Sequence, residues 1–238
     1  MRTRPVLAVL ALAVSLTLAG CTGDDAPKQS TAGLEKRLAA AQKAIDDAPS
    51  LKVSLSTDEL PAGVSGLRTA TGVGTHAPAF QGKVTVVTGG ASLGAEVVAT
   101  DGKVWAKTGF SPVFLSINPR TLKAPDPADL VGTKGEGLAT VLTETRSLEQ
   151  GKRSRDGKDV LTSIRGRLGG SVVKKYLDTA DAAGTFRASY RLDDDDVLRD
   201  ATITGPFYEG SPDVTYTIRL TPSQQDVTID PPKRTGGR

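Results

Sequence analysis

The chain has 238 residues, 38% of them hydrophobic and 24% charged, a balance that excludes a disordered chain and suits one domain of ordinary size. Thirty basic against 27 acidic residues leave a net charge of +3 with no concentrated basic stripe, so nucleic acid is not an expected partner. Aromatics are only 4%, so the core must be built from Val, Leu, Ile and Ala.

Arg2 and Arg4 precede an apolar run at 6–18. The run is too short for a bilayer span, which needs ~20 residues, but it fits the apolar region of an export signal. Leu18-Ala19-Gly20-Cys21 follows and resembles the lipobox of bacterial lipoproteins, in which the Cys thiol receives a diacylglyceryl group and the signal is cut just before it. Small Ala19 and Gly20 leave the backbone open to a peptidase, and a thiolate is nucleophilic enough to form the thioether. Cys21 is the only cysteine, so no internal disulfide can form, and lipidation gives a purpose to a thiol outside the cytoplasm. Two acyl chains anchor stably where one is marginal. Residues 1–20 are thus expected to be a lipoprotein signal peptide, 21–31 a lipidated tether, 32–232 the folded domain and 233–238 a flexible tail. The mature chain is expected at the cell membrane, lipid-anchored on its extracytoplasmic face.

Ser30 is placed to cap a helix in which Leu34, Leu38, Ala41 and Ile45 form one apolar stripe, stopped by Pro49. From Leu51 the period changes to two, with Val53 and Leu55 alternating with polar residues. Strands are predicted at 64–76, 79–88, 91–100 and 103–108, joined by Gly89-Gly90 and Asp101-Gly102, which are tight-turn residues; this predicts a four-strand meander. Pro112, Pro119, Pro125 and Pro127 break the rhythm across 111–145. Within it, Asp126 and Pro127 read as an N-cap and first helical residue, and Leu138, Val141 and Leu142 suggest a second short helix. Strands resume at 146–155 and 159–168 around Asp156-Gly157. Ser171 is predicted to cap a helix bearing Val172, Val173, Tyr176 and Leu177, and three strands follow at 184–191, 196–205 and 213–221. This order argues an α+β fold in which one long antiparallel sheet curls and the helices cover one of its faces.

Catalytic patterns are missing from the sequence, and no enzyme activity is expected. Gly63-Val64-Ser65-Gly66 lacks the spacing of a nucleophile elbow, and Gly72-Val73-Gly74 lacks the third Gly of a dinucleotide fingerprint. His76, the only histidine, is expected at an exposed turn or strand end. Asp193 to Asp196 are expected to form a solvated hairpin tip, since calcium loops interleave their ligands with a turn-making Gly. With no Cys or His cluster, neither a metal nor a cofactor is expected. Val84, Val86, Leu93, Ala95, Val97, Ala99, Val104 and Ala106 make one face of the meander small and aliphatic, which either the helices or a ligand must fill.

The lipobox and capped helix, with GKVTVVTGG at 82–90, AEVVATDGKVWAKT at 95–108, DPADLVGTKGEGLATVLTETRSLEQG at 126–151 and GKDVLTSIRGRL at 157–168, resemble the actinobacterial LppX/LprA/LprF/LprG lipoprotein family. The resemblance implies a half-barrel similar to the LolA and LolB carriers: a single strongly curved antiparallel sheet with helices on its concave face, enclosing an apolar cavity for acylated lipids or lipoglycans. Val84 matches a cavity-lining position of that family, and Val86, Val97 and Ala99 extend the wall by period two. The expected function is to bind such lipids and to carry or present them in the envelope. The Pro- and Gly-rich segment 109–137 is the expected mouth. The alternative is an anchored interaction protein whose cavity is packed by its own side chains and which acts through a partner such as a membrane transporter.

Overall fold

The computed structural model describes residues 29–233. The expected signal peptide, Cys21 and most of the expected tether lie outside the described residues, as does the expected tail from 234.

Helix α1 (Thr31–Asp46) forms as its sequence dictates. The Ser30 side-chain oxygen accepts from the Gly33 N–H at 3.2 Å, and Leu34, Leu38, Ala41 and Ile45 are all buried. Arg37, on the flank of this buried stripe, pairs with Asp196 and donates to the Asp193 carbonyl 2.6 Å away. That contact ties the helix to a hairpin far along the chain.

Six strands follow as a continuous meander: β1 (Ser50–Ser56), β2 (Gly66–Thr75), β3 (Ala79–Thr88), β4 (Ala91–Thr100), β5 (Lys103–Thr108) and β6 (Leu115–Ile117). The turn residues behave as their chemistry requires. Asp101 and Gly102 take φ of 53° and 65°, and Gly89 and Gly90 take 56° and 78°, the left-handed pair that matches the twist of a two-residue hairpin. The short helices α2 (Pro127–Val131) and α3 (Val141–Glu144) precede strands β7 (Arg146–Asp156) and β8 (Asp159–Gly169), and α4 (Gly170–Lys174) precedes β9 (Thr185–Leu192), β10 (Leu198–Gly205) and β11 (Val214–Ser223). Asp126 caps α2 as expected, its carboxylate accepting from the Ala128 N–H at 2.9 Å.

All eleven strands share one antiparallel sheet, in the order β6-β5-β4-β3-β2-β1-β11-β10-β9-β8-β7. The sheet is curled but not closed, so β6 and β7 are free edges. Its inner face and the helices share one hydrophobic core. Few aromatics serve it, and they are concentrated: Phe186, Phe207 and Tyr216 stack edge to face at 4.9 and 4.8 Å.

Two local expectations are corrected. Leu115–Ile117 pairs with β5 as a sixth meander strand where a loop was expected. Ser171 lies inside α4, whose N-cap is Gly169. A Cβ on Gly170 would sit 1.9 Å from the Asp181 carbonyl, so the helix begins where glycine lets two backbones cross.

Candidate functional site

The small aliphatic residues of the meander face the helices across a gap. A void of about 140 Å³ lies over β2 to β6, walled by Ala70, Val84, Val86, Leu93, Ala95, Val97, Val104 and Ala106 and roofed by Leu122, Pro125 and Leu130. A second apolar void of about 50 Å³ lies over β1, β2, β10 and β11, bounded by Leu55, Leu67, Ile203, Phe207, Tyr216 and Ile218 beneath Leu138, Val141, Val173 and Tyr176. Outside the roof, a polar cleft of about 520 Å³ runs between the segment 120–129, the residues after α4 and the loops at 63–65 and 208–211. Pro125 borders all three spaces. Displacing this one short segment would join a polar cleft to both apolar voids.

The cleft carries Arg120, Lys123 and Lys175 beside Asp126, Asp129, Asp178 and Glu209, so a ligand there meets donors and acceptors of both signs. The Asp129 carboxyl is pushed above its ordinary value by partial burial and by Asp126, against the pull of Arg120. Tyr176 forms part of the partition between cleft and smaller void; its hydroxyl donates to the Gly137 carbonyl and lies 2.7 Å from Thr140 Oγ1. Burial raises the Tyr176 phenol above its ordinary value, so it remains a donor. Arg120 Nη1 donates to Asp178 Oδ2 across the cleft at 2.7 Å.

Of the wall residues expected from sequence, Val84, Val86 and Val97 border the larger void. Ala99 does not: it is fully buried in the core between its strand partners Phe80 and Val104. The second void and the cleft have no signal in the sequence, because they arise where distant segments meet and leave no local period, whereas Pro125 falls within 109–137, the segment expected as the mouth. The prolines of 112–127 were the one signal.

His76 sits in the turn between β2 and β3, where its Nε2 is 3.1 Å from the Ile45 carbonyl and its Nδ1 3.2 Å from the Gly132 carbonyl. It therefore staples the end of α1 to the residue after α2, a more structural place than the exposed turn expected for it. The Asp193–Asp196 tip is held by its own bonds and by arginines. Asp193 Oδ1 accepts from the Asp195 and Val197 N–H groups, Asp196 pairs with Arg37, and Asp194 lies 3.2 Å from Arg153. Among the described residues no group of three or more His, Cys, Asp or Glu is placed to hold a metal.

The family model of the LppX_LprAFG lipoproteins matches residues 34–230. The chain belongs to that family. Among solved structures it is similar to LprF from Mycobacterium bovis, with a TM-score of 0.65 and 15% identity over 85% of this chain and 98% of that one. It is also similar to the Mycobacterium tuberculosis lipoprotein LppX, with a TM-score of 0.58 and 15% identity over 84% of this chain and all of the other. At that identity the likeness establishes the fold the family shares, the curled open sheet under short helices. No curated protein sequence matches the chain.

Proposed function

We propose that this family member is a membrane-anchored lipoprotein that takes the acyl chains of a lipid or lipoglycan under its helices and carries or presents them in the cell envelope. The observation that carries this reading is the meeting of two apolar voids and a polar cleft at Pro125, an arrangement suited to an amphiphile with branches in the voids and its head outside. Each methylene moved out of water gains ~0.8 kcal/mol, but a bilayer offers most of the same gain, so an apolar wall with few fixed polar contacts suits release as well as uptake. A void near 150 Å³ holds a benzene ring. The spaces described are therefore those of a compact state, and a long chain enters only if the 119–137 segment lifts.

The test is Val84→Trp, with lipid quantified in protein purified from an envelope-containing host. Beside a real void the indole finds room, so stability should fall by less than about 1 kcal/mol while co-purified lipid drops. Ala99→Trp, in packed core, should cost about 3 kcal/mol or fail to fold. Equal, severe losses for both variants, with no lipid in the wild type, would favour the second reading, an anchored interaction protein acting through a membrane partner such as a transporter. The small volumes are the observation on that side. The anchor has its own test: Cys21→Ala should abolish labelling by an acyl probe and leave an unprocessed precursor, and unchanged labelling would remove the lipobox reading.

A further inference from the structure

Two stretches of this chain, 84–95 and 108–119, contain no charged residue. At the chain's 24% charged content about six charges would be expected across them. They are neighbours in space. Strand β4 pairs with both β3 and β5, Ala95 lies opposite Thr108, and so the β3–β4 turn and the loop 109–114 leave the sheet at the same end. That corner also exposes apolar side chains: Phe110 is 92% exposed, Leu115 54% and Val113 36%. The remaining large exposed hydrophobic among the described residues is Val197, in the β9–β10 turn at the opposite end. The larger void runs toward the same corner, since Leu93, Ala95 and Thr108 are among its walls.

We propose that this corner docks onto the phospholipid bilayer as a second membrane contact, distinct from the anchor. Charge placement fits a membrane: Lys107 immediately precedes the uncharged 108–119 stretch, at the point where the chain enters the corner. Lys107 reaches Glu96 at 3.3 Å and lies 5.8 Å from the Phe114 ring centre. Exposed Phe and Leu side chains favour the boundary between headgroups and acyl chains, and cations beside them favour anionic lipid. Reach fits as well, and here the inference rests on the anchored reading of Cys21. Eight residue steps separate Cys21 from Gln29, at most roughly 28 Å of extended chain, while a domain of this size has a radius of gyration of about 17 Å. A domain held so closely stays at the bilayer surface, and the corner that exposes Phe110, Val113 and Leu115 has the most apolar surface to bury there. Such docking sets the wall at Leu93 and Thr108 next to hydrocarbon, so an acyl chain would pass without crossing water.

The experiment uses the chain from residue 21 onward with Cys21→Ser, which retains every described residue, and vesicles of phosphatidylethanolamine and phosphatidylglycerol. Phe110→Asp should lower vesicle partition about tenfold without changing the melting temperature, since the side chain is solvent-exposed. Val197→Asp should leave partition unchanged. In a Trp105→Phe background, Phe110→Trp places the only indole at the tip, and brominated acyl chains should quench it. Partition indifferent to Phe110→Asp, a fall shared by Val197→Asp, or an unquenched indole each overturns the proposal. So does a concentration-dependent dimer abolished by Phe110→Asp, which would make the corner a contact between copies. Lipid carriage is read separately by extraction: quenching in a protein that never contains lipid would sink carriage and keep docking, and a lipid-loaded protein with an unquenched tip would do the reverse.

Discussion

His76 shows how a single side chain can be misplaced by sequence and still be explained by it. Between Thr75 and Ala77-Pro78 it reads as a turn residue, and it is one. Its ring nevertheless spans two carbonyls that end different helices, Ile45 of α1 and Gly132 after α2. His76→Ala removes the ring that bridges these two carbonyls and should cost about 1–2 kcal/mol in chemical denaturation. An unchanged midpoint would mean that water replaces the ring without loss. The wall residues teach the converse lesson. Alternation identified the inward row correctly, yet period two cannot tell where a void ends, because that depends on what the roof places opposite. Val97 borders the void, whereas Ala99, two residues on, is fully buried between its strand partners Phe80 and Val104.

Among the elements, the strands and turns were the most legible part of the chain. Gly-Gly and Asp-Gly dipeptides, with alternating burial in β1 and β9, reflect interactions between residues one or two positions apart, so local reading suffices. Strand β6 escaped because Pro112 and Pro119 flank it and three residues carry too little pattern; its existence depends on β5 offering a free edge. A second feature needed the structure: Gly72 and Gly82 stand side by side in β2 and β3, and the Phe80 ring covers both. A Cβ at Gly72 would lie 2.3 Å from the Gln81 carbonyl oxygen and 2.7 Å from the Phe80 ring. Gly72→Ala should therefore destabilise by about 2 kcal/mol or more through forced displacement of strand or ring. Gly94→Ala, in β4 with open space around the added methyl, should be nearly neutral. Equal melting temperatures for the two variants would show that β2 and β3 give way at little cost.

For the whole molecule, the question is what holds the roof down. The Arg120–Asp178 pair crosses the polar cleft, but its side chains are 64% and 58% exposed, so it should contribute only ~0–1 kcal/mol to stability. Arg120→Ala should leave the melting temperature nearly unchanged while speeding uptake and release of a fluorescent acyl probe. Slower exchange would assign the arginine to ligand binding instead. The sheet beneath has a further property. Its edges are guarded differently: β6 is only three residues long, whereas β7 carries Arg146, Glu149, Lys152, Arg153 and Arg155 and has register shifts against β8. Neither edge invites another strand, and the two are not bonded to each other. A closed barrel fixes its girth by its strand number and stagger. This open sheet has no such constraint: a small change of twist at each strand-to-strand step, within the ~10–35° range that sheets adopt, would accumulate along the row without breaking a ladder. Its interior can thus be resized by distributed flexing, and ligands of different bulk need not each find a pocket already cut to fit.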